Sequence, residues 1–318
     1  MFKIRNILLL FIVLALAIAF VGCNKEEKTA AAATAEKEAE TQAPEETVAI
    51  DPVEEGVMAY FANKPAHNYM IPQKDFVDKV RAGEDMFILD IRQPDVYAEG
   101  HAKGAVNAPW GPALGDVFTQ IPAGKPVMVY CYTGQTAGQA VMTLNLAGFE
   151  AYSVNLGWNL GISKVEGVED VVETTANDFP GTETTIDIDV LTAVKEYYSA
   201  LASAEIKNNI IAENNLKDLL DAEDPSIYVL SIRSAEHYDE GHIAGAANIP
   251  WGPGMEKSFA TLPKDKTVAV YCYTGQTAGQ TVAGLRLLGY DAVSLRGGMG
   301  MPVNQPQGWA NQGYPVVQ

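Results

Sequence analysis

An α/β fold is predicted twice in tandem, each copy a small parallel sheet flanked by helices. Three observations predict it. First, the chain repeats itself at a constant spacing, with Cys131 and Cys272 standing 141 positions apart. Second, short runs rich in valine, isoleucine and leucine alternate with helix-like segments in each copy. Strands separated by helices pair in parallel and carry helices on both faces. Third, one strand-like run in each copy passes through a cysteine and a glycine directly into a helix-like segment.

The repeat is dense enough to define whole domains. Ile91-Arg92 recurs as Ile232-Arg233, Glu99-Gly100-His101 as Glu240-Gly241-His242, and Pro109-Trp110-Gly111-Pro112 as Pro250-Trp251-Gly252-Pro253. The ten residues Tyr130–Gln139 recur unchanged as Tyr271–Gln280. Val53 and Val194 share the spacing at the starts of helical segments. A chain of 318 residues suits two domains of ordinary size. The copies are expected at 50–173 and 187–318, joined by a linker at 174–186 rich in Thr, Asn, Asp, Pro and Gly.

Each element is read from its local pattern. In the first copy Asp75–Arg81 reads as helix, Met86–Ile91 as a buried strand and Val127–Tyr130 as a second strand. Ala137–Ala147 reads as helix stopped by Gly148, and Ala151–Val154 as strand. The second copy repeats this with Ile227–Ile232, Val268–Tyr271, Ala278–Leu288 stopped by Gly289, and Ala292–Leu295. Sites in such sheets form at the carboxyl ends of strands, where Cys131 and Cys272 fall.

Composition excludes some partners. The net charge of −18 argues against nucleic acid, which requires a basic face. Three cysteines are too few, and odd in number, for a disulfide framework. The four histidines are not spaced as a metal site. No metal site is expected. The tryptophans Trp110, Trp158, Trp251 and Trp309 are expected in the core.

The start of the chain reads as an export signal over 1–23. Lys3 and Arg5 precede the apolar run Ile7–Val21, and Phe20-Val21-Gly22-Cys23 closes it. That run of about 15 residues is marginal for a bilayer core of about 30 Å. The close resembles a bacterial lipobox, with Phe20 where leucine is usual, which implies lipidation at Cys23. An exported, membrane-anchored lipoprotein follows as an expectation, on the outer-membrane or periplasmic side if the source is Gram-negative. Residues 24–49, rich in Ala, Glu, Thr and Lys and without aromatics, read as a flexible acidic tether.

The cysteine loops Cys131-Tyr132-Thr133-Gly134-Gln135-Thr136 and Cys272-Tyr273-Thr274-Gly275-Gln276-Thr277 carry the chemistry. A thiol between a strand end and a helix start meets loop amides and the positive helix end, an arrangement that binds anions and favours thiolate. Gly134 and Gly275 let the amides turn inward. Thr136 and Thr277 either donate to the sulfur or cap the helix. One cysteine of this kind is as readily inert as reactive. Two, in unchanged ten-residue stretches amid diverged flanks, point to function.

The motifs upstream of each cysteine resemble the rhodanese family. They are Asp90-Ile91-Arg92, Tyr97–Ala105 and Asn107-Ala108-Pro109 in the first copy, and Tyr238–Ala246 and Asn248-Ile249-Pro250 in the second. The second copy adds Gly297-Gly298, Trp309 and Gly313-Tyr314-Pro315-Val316. The resemblance implies two tandem rhodanese-like domains with Cys131 and Cys272 catalytic. It implies a sulfurtransferase that moves sulfane sulfur from thiosulfate, a persulfide or a polysulfide to a thiol or cyanide through a cysteine persulfide. Small sulfur compounds are then the substrates, and a protein thiol is one acceptor class. Non-enzymatic readings remain: a persulfide carrier, a sulfur-delivery module or a redox sensor.

Several positions carry two readings. Arg92 and Arg233 occupy the family's Asp-x-Arg position, where they steer an anion or form a structural ion pair, with Ser231 replacing the aspartate in the second copy. His101 and His242 are expected to be structural and hydrogen-bonded. Tyr132 and Tyr273 either line the pocket mouth or pack. Tyr132-Thr133 and Tyr273-Thr274 stand where thiosulfate-selective rhodaneses often carry basic residues, which weakens thiosulfate as donor. The phosphatases and arsenate reductases of this fold need a longer loop and an arginine where Ala137 and Ala278 stand. The first copy runs from Gly157-Trp158 into the acidic stretch 166–173, which leaves its closing segment unassigned.

Overall fold

A computed structural model describes residues 51–318. The export signal, Cys23 and the tether at 24–49 lie outside the described residues. No helix among the described residues is long and apolar enough to cross a membrane.

The first half runs α1 (Pro52–Ala62), β1 (Met70–Ile71), α2 (Gln73–Ala82), β2 (Phe87–Asp90), α3 (Pro94–Glu99), β3 (His101–Ala102), β4 (Ala105–Asn107), α4 (Pro112–Asp116), β5 (Val127–Tyr130), α5 (Gln135–Leu146), β6 (Ala151–Val154) and β7 (Val172–Glu173). The second runs α6 (Ile188–Ala200), β8 (Ile210–Ile211), α7 (Glu213–Asp221), β9 (Ile227–Ser231), α8 (Ala235–Glu240), β10 (Ala247–Asn248), β11 (Thr267–Tyr271), α9 (Gln276–Leu287) and β12 (Ala292–Leu295). Each half holds a five-stranded sheet, β1-β6-β5-β2-β4 and β8-β12-β11-β9-β10. Every pairing in both is parallel, as expected for strands linked through helices.

The central strands are buried on both faces, so they read as continuous apolar runs. Successive side chains still point to opposite faces. Val127, Val129 and Cys131 face one core, while Met128 and Tyr130 face another. In the second half Val268, Val270 and Cys272 join that first core, while Ala269 and Tyr271 face a third. One apolar core is therefore shared by the two halves, and both cysteines lie on its side.

Two features build this shared core. The helices α5 and α9 cross at Gly138 and Gly279, where a Cβ would come within 2.4 Å of the Gln276 carbonyl oxygen and 2.3 Å of the Gln135 carbonyl oxygen. The leading helix of each repeat also crosses over. On α1, Phe61 packs edge-on against Trp251 and Phe259 of the second half. On α6, Tyr198 packs against Trp110 and Phe118 of the first. The sequence repeat assigns each helix to the half it begins; its packing spans both.

The closing segment of the first half is a variant of the second. The strand β7 pairs antiparallel with β3, His101 opposite Glu173. In the second half Val317 bridges His242 in the same way. The acidic stretch thus supplies the edge that the Pro315-Val316-Val317 ending supplies in its counterpart.

Candidate active site

Cys131 directly follows β5 and Cys272 directly follows β11, at the carboxyl ends of the central strands. Both thiols are free and buried. The chain then turns through Gly134 and Gly275, with φ of +89° and +93°, a region closed to most side chains. This turn aims amides at sulfur. Gly134 N donates to Cys131 Sγ at 3.1 Å, and Ala137 N at 3.4 Å. Gly275 N donates to Cys272 Sγ at 3.0 Å. The starts of α5 and α9 add their positive ends, so negative charge on either sulfur is stabilised without any cation.

The floor of each loop is a second glycine. A Cβ on Gly157 would meet the Cys131 carbonyl oxygen at 2.5 Å, and one on Gly298 would meet that of Cys272 at 2.6 Å. The backbone continues from there into the loop: Trp158 N donates to Cys131 O at 2.8 Å, and Met299 N to Cys272 O at 2.7 Å.

The remaining loop residues separate into distinct roles. Tyr132 and Tyr273 are half-buried and tethered across the mouth. The Tyr132 hydroxyl accepts from Gln93 N at 3.1 Å. The Tyr273 hydroxyl accepts from Ser234 N at 3.3 Å and sits 2.7 Å from His237 Nδ1. Thr133, Thr274, Thr136 and Thr277 are partly exposed. No side chain caps either helix, and neither Thr136 nor Thr277 bonds the sulfur among the described hydrogen bonds. Gly134 and Gly275 occupy the N-cap positions instead, and the Ala137 amide in the first turn of α5 is met by Cys131 Sγ.

Gln135 and Gln276 turn away from their own loops. Gln135 Nε2 donates to Ser294 Oγ and, at 2.9 Å, to Leu295 O, while Gly297 N donates back to its Oε1 at 3.3 Å. Gln276 Oε1 accepts from Leu156 N at 3.0 Å, and its Nε2 reaches Ser153 Oγ at 3.4 Å. Each glutamine thus anchors the strand end that leads beneath the other cysteine loop. Gln139 and Gln280 cross as well: Gln280 accepts from Tyr60 of α1 at 2.6 Å, and Gln139 from Tyr197 of α6 at 2.6 Å.

The two arginines differ. Arg92 is bound by both Asp90 oxygens, with Nη2 to Oδ2 at 2.6 Å, and donates to Gly100 O at 2.8 Å. It lies over the Trp158 ring at 4.2 Å. Burial opposes its charge, but Asp90 outweighs it and the pKa is raised. Arg233 donates to Gly241 O, and its buried Nε has no partner among the described residues. Both side chains are structural in their contacts. His101 and His242 stack on Tyr97 and Tyr238 and bond the carbonyls of those same residues, at 2.8 and 3.0 Å. Trp309 is core, Trp158 packs on Arg92, and Trp110 and Trp251 flank the shared core.

The pattern that defines the rhodanese-like domain matches the chain twice, at residues 73–163 and 213–300. The chain belongs to the rhodanese-like family. It carries two such domains, and the crossing helices α1 and α6 lie outside both matched stretches. Among curated relatives, the probable adenylyltransferase/sulfurtransferase MoeZ of Mycobacterium tuberculosis is 32% identical over 116 residues, 36% of this chain and 28% of that protein. The chain thus spans under a third of that relative's length. Thiosulfate sulfurtransferase PspE of Escherichia coli is 37% identical over 71 residues, 22% of this chain and 68% of that protein. A sulfurtransferase of Allochromatium vinosum is 32% identical over 111 residues, 35% of this chain and 94% of that protein.

Five contributors near the domain 2 site, four lining residues and His237, are not marked as site residues by the sequence. A cavity of about 360 Å³ opens beside Cys272 and includes Asn68, Met70, Asn155 and Leu156 of the first domain. A Leu-for-Gly exchange between Leu156 and Gly297 was the one visible signal, because it breaks the repeat. His237 was the other omission: its contact with Tyr273 joins two segments far apart in sequence.

Proposed function

We propose that this protein is a sulfurtransferase that moves sulfane sulfur through a persulfide on Cys131 and on Cys272. The observation that carries the reading is that backbone amides point at each buried Sγ at the start of a helix, two at Cys131 and one at Cys272. Attack by a thiolate needs charge stabilised at sulfur before the reaction and again on the persulfide after it. Preorganised amides serve both states.

With thiosulfate, the cysteine thiolate attacks the outer sulfur, the sulfur–sulfur bond breaks, and sulfite leaves with the electron pair. With an organic persulfide, a thiolate leaves instead. A thiol or cyanide then attacks the outer sulfur of the cysteine persulfide and restores the thiolate. The loops 131–136 and 272–277 hold no basic residue, Arg92 is engaged by Asp90, and Arg233 does not line the cavity beside Cys272. A dianionic donor thus gains no counter-charge there, which favours persulfide or polysulfide donors over thiosulfate.

The test is donor turnover by the purified protein, with cyanide or a small thiol as acceptor and thiocyanate or persulfide as readout. Turnover with at least one sulfane donor, faster for persulfide than thiosulfate, is expected. No turnover with any donor rejects the reading. Lipid anchoring at Cys23 is part of the same proposal, supported by Phe20-Val21-Gly22-Cys23 after an apolar run. Palmitate label that persists in Cys23→Ser would reject it.

A further inference from the structure

We propose that Cys272 is specialised for persulfides bearing an apolar organic tail, and that the first domain supplies part of the tail's pocket. The proposal rests on the sulfurtransferase reading and names the donor class of one of its two sites. The cavity of about 360 Å³ beside Cys272 falls in the size class of small-ligand sites, roughly 300–1,000 Å³. Its apolar wall is Met70, Leu156, Ile232, Trp251, Met301 and Val303. The described lining contains no acidic, basic or histidine side chain. A dianion would be stripped of water there without a counter-charge. A tail of carbon atoms gains from the same surface.

The wall is held in place before any donor arrives. Trp251 Nε1 donates to Asn68 Oδ1 at 3.2 Å, and Gln280 Nε2 to Asn68 O at 3.1 Å. Gln276 Oε1 holds Leu156 N at 3.0 Å. Met301 and Val303 are 42% and 44% exposed at the rim, apolar surface without cover.

Leu156 is the decisive residue. Its φ is +62°, a conformation that is strained for a branched side chain. The repeat places Gly297 at the same point with φ +67°. Glycine satisfies the backbone without strain, so the first domain keeps a leucine against its local preference. Strain retained at a site wall is a mark of function, and the leucine side chain lines the Cys272 cavity. The two sites are therefore unequal: a leucine from domain 1 faces Cys272, and a glycine takes its place in the reciprocal arrangement.

In the reaction, the Cys272 thiolate attacks the outer sulfur of R–S–SH. The S–S bond of the donor breaks, R–S⁻ leaves with the electron pair, and the proton stays on the transferred sulfur to give Cys272–S–SH. The tail R lies on the apolar wall.

The experiment uses the full chain carrying Cys131→Ser and follows persulfide formation on the Cys272 peptide by mass with three donors: benzyl persulfide, hydrogen disulfide and thiosulfate. Benzyl persulfide is expected to react fastest. Leu156→Gly should lower its kcat/KM about tenfold, the effect of losing one apolar contact in a pocket, with little change for hydrogen disulfide and no drop in thermal midpoint. Met301→Lys, at the exposed rim, should shift preference toward thiosulfate. Equal reaction of all three donors, or equal slowing of all three by Leu156→Gly, overturns the inference while leaving sulfur transfer intact. Failure of every donor to load Cys272, or Cys131 in the wild type, overturns the underlying reading as well.

Discussion

Gln135 and Gln276 reach into each other's domain: the Gln135 amide donates to Ser294 Oγ, and the Gln276 amide to the equivalent Ser153 Oγ. Each serine sits on the strand that leads beneath the opposite cysteine loop. The two loops are consequently linked in a ring. The Cys131 loop holds the strand end under the Cys272 loop, and the Cys272 loop returns the contact.

Gln135→Ala is expected to leave Leu295 O and Gly297 N without their partner, at a cost of about 1–3 kcal/mol in chemical unfolding. Because Gly297 leads into the floor of the Cys272 loop, persulfide formation should slow more at Cys272 than at Cys131. Slowing confined to Cys131 would show that the glutamine serves its own loop.

The shared core and the crossing helices predict one cooperative unfolding transition for both domains. A fragment of residues 51–173 lacks α6, which exposes the surface of Trp110 and Phe118 that Tyr198 covers. That fragment should bind apolar dyes and show no sharp melting. A well-folded, monomeric fragment would contradict this.

The paired arginines invite an exchange. Asp90→Ser strips Arg92 of its buried partner, and a loss of about 3–5 kcal/mol is expected. Ser231→Asp offers the unpartnered Nε of Arg233 a carboxylate and should stabilise by about 1.5–3 kcal/mol, the range for charge-assisted hydrogen bonds. Thermal midpoints moving in opposite directions would bear this out; a fall in both would not.

Local patterns made much of this legible. Val127–Tyr130, the cysteine loop and the following helix appear in the sequence because strand burial, glycine turns and helix stops are short-range. The helix begins at Gln135, two residues before the expected start, since the loop glycine itself serves as its cap. The crossing of α1 and α6 was not legible. Val53 and Val194 mark an apolar face without saying which domain covers it. The unchanged ten residues misled in part. Cys131 and Gly134 answer to sulfur chemistry, but Gln135, Gly138 and Gln139 answer to the domain interface, and identity alone does not separate the two causes.

Burial raises the pKa of Tyr60, Tyr130, Tyr197 and Tyr198. Their neutral forms are favoured in the folded state, so their contribution is fully present below the unfolded tyrosine value of about 10 and is lost as pH rises beyond it. Phenolate absorbance of these buried groups should therefore appear together with unfolding. Titration of all 14 tyrosines near the ordinary value in a protein that keeps its fold would contradict the placement.

The central claim is that both Cys131 and Cys272 carry sulfur. Its most direct measurement is intact-mass and peptide mapping of the full chain after brief exposure to a persulfide donor, for the wild type, Cys131→Ser, Cys272→Ser and the double variant. The account predicts one added sulfur atom on each remaining cysteine of the 131/272 pair and none on the double variant. An unmodified Cys131 and Cys272 in the wild type, or sulfur retained by the double variant at another residue, would contradict it.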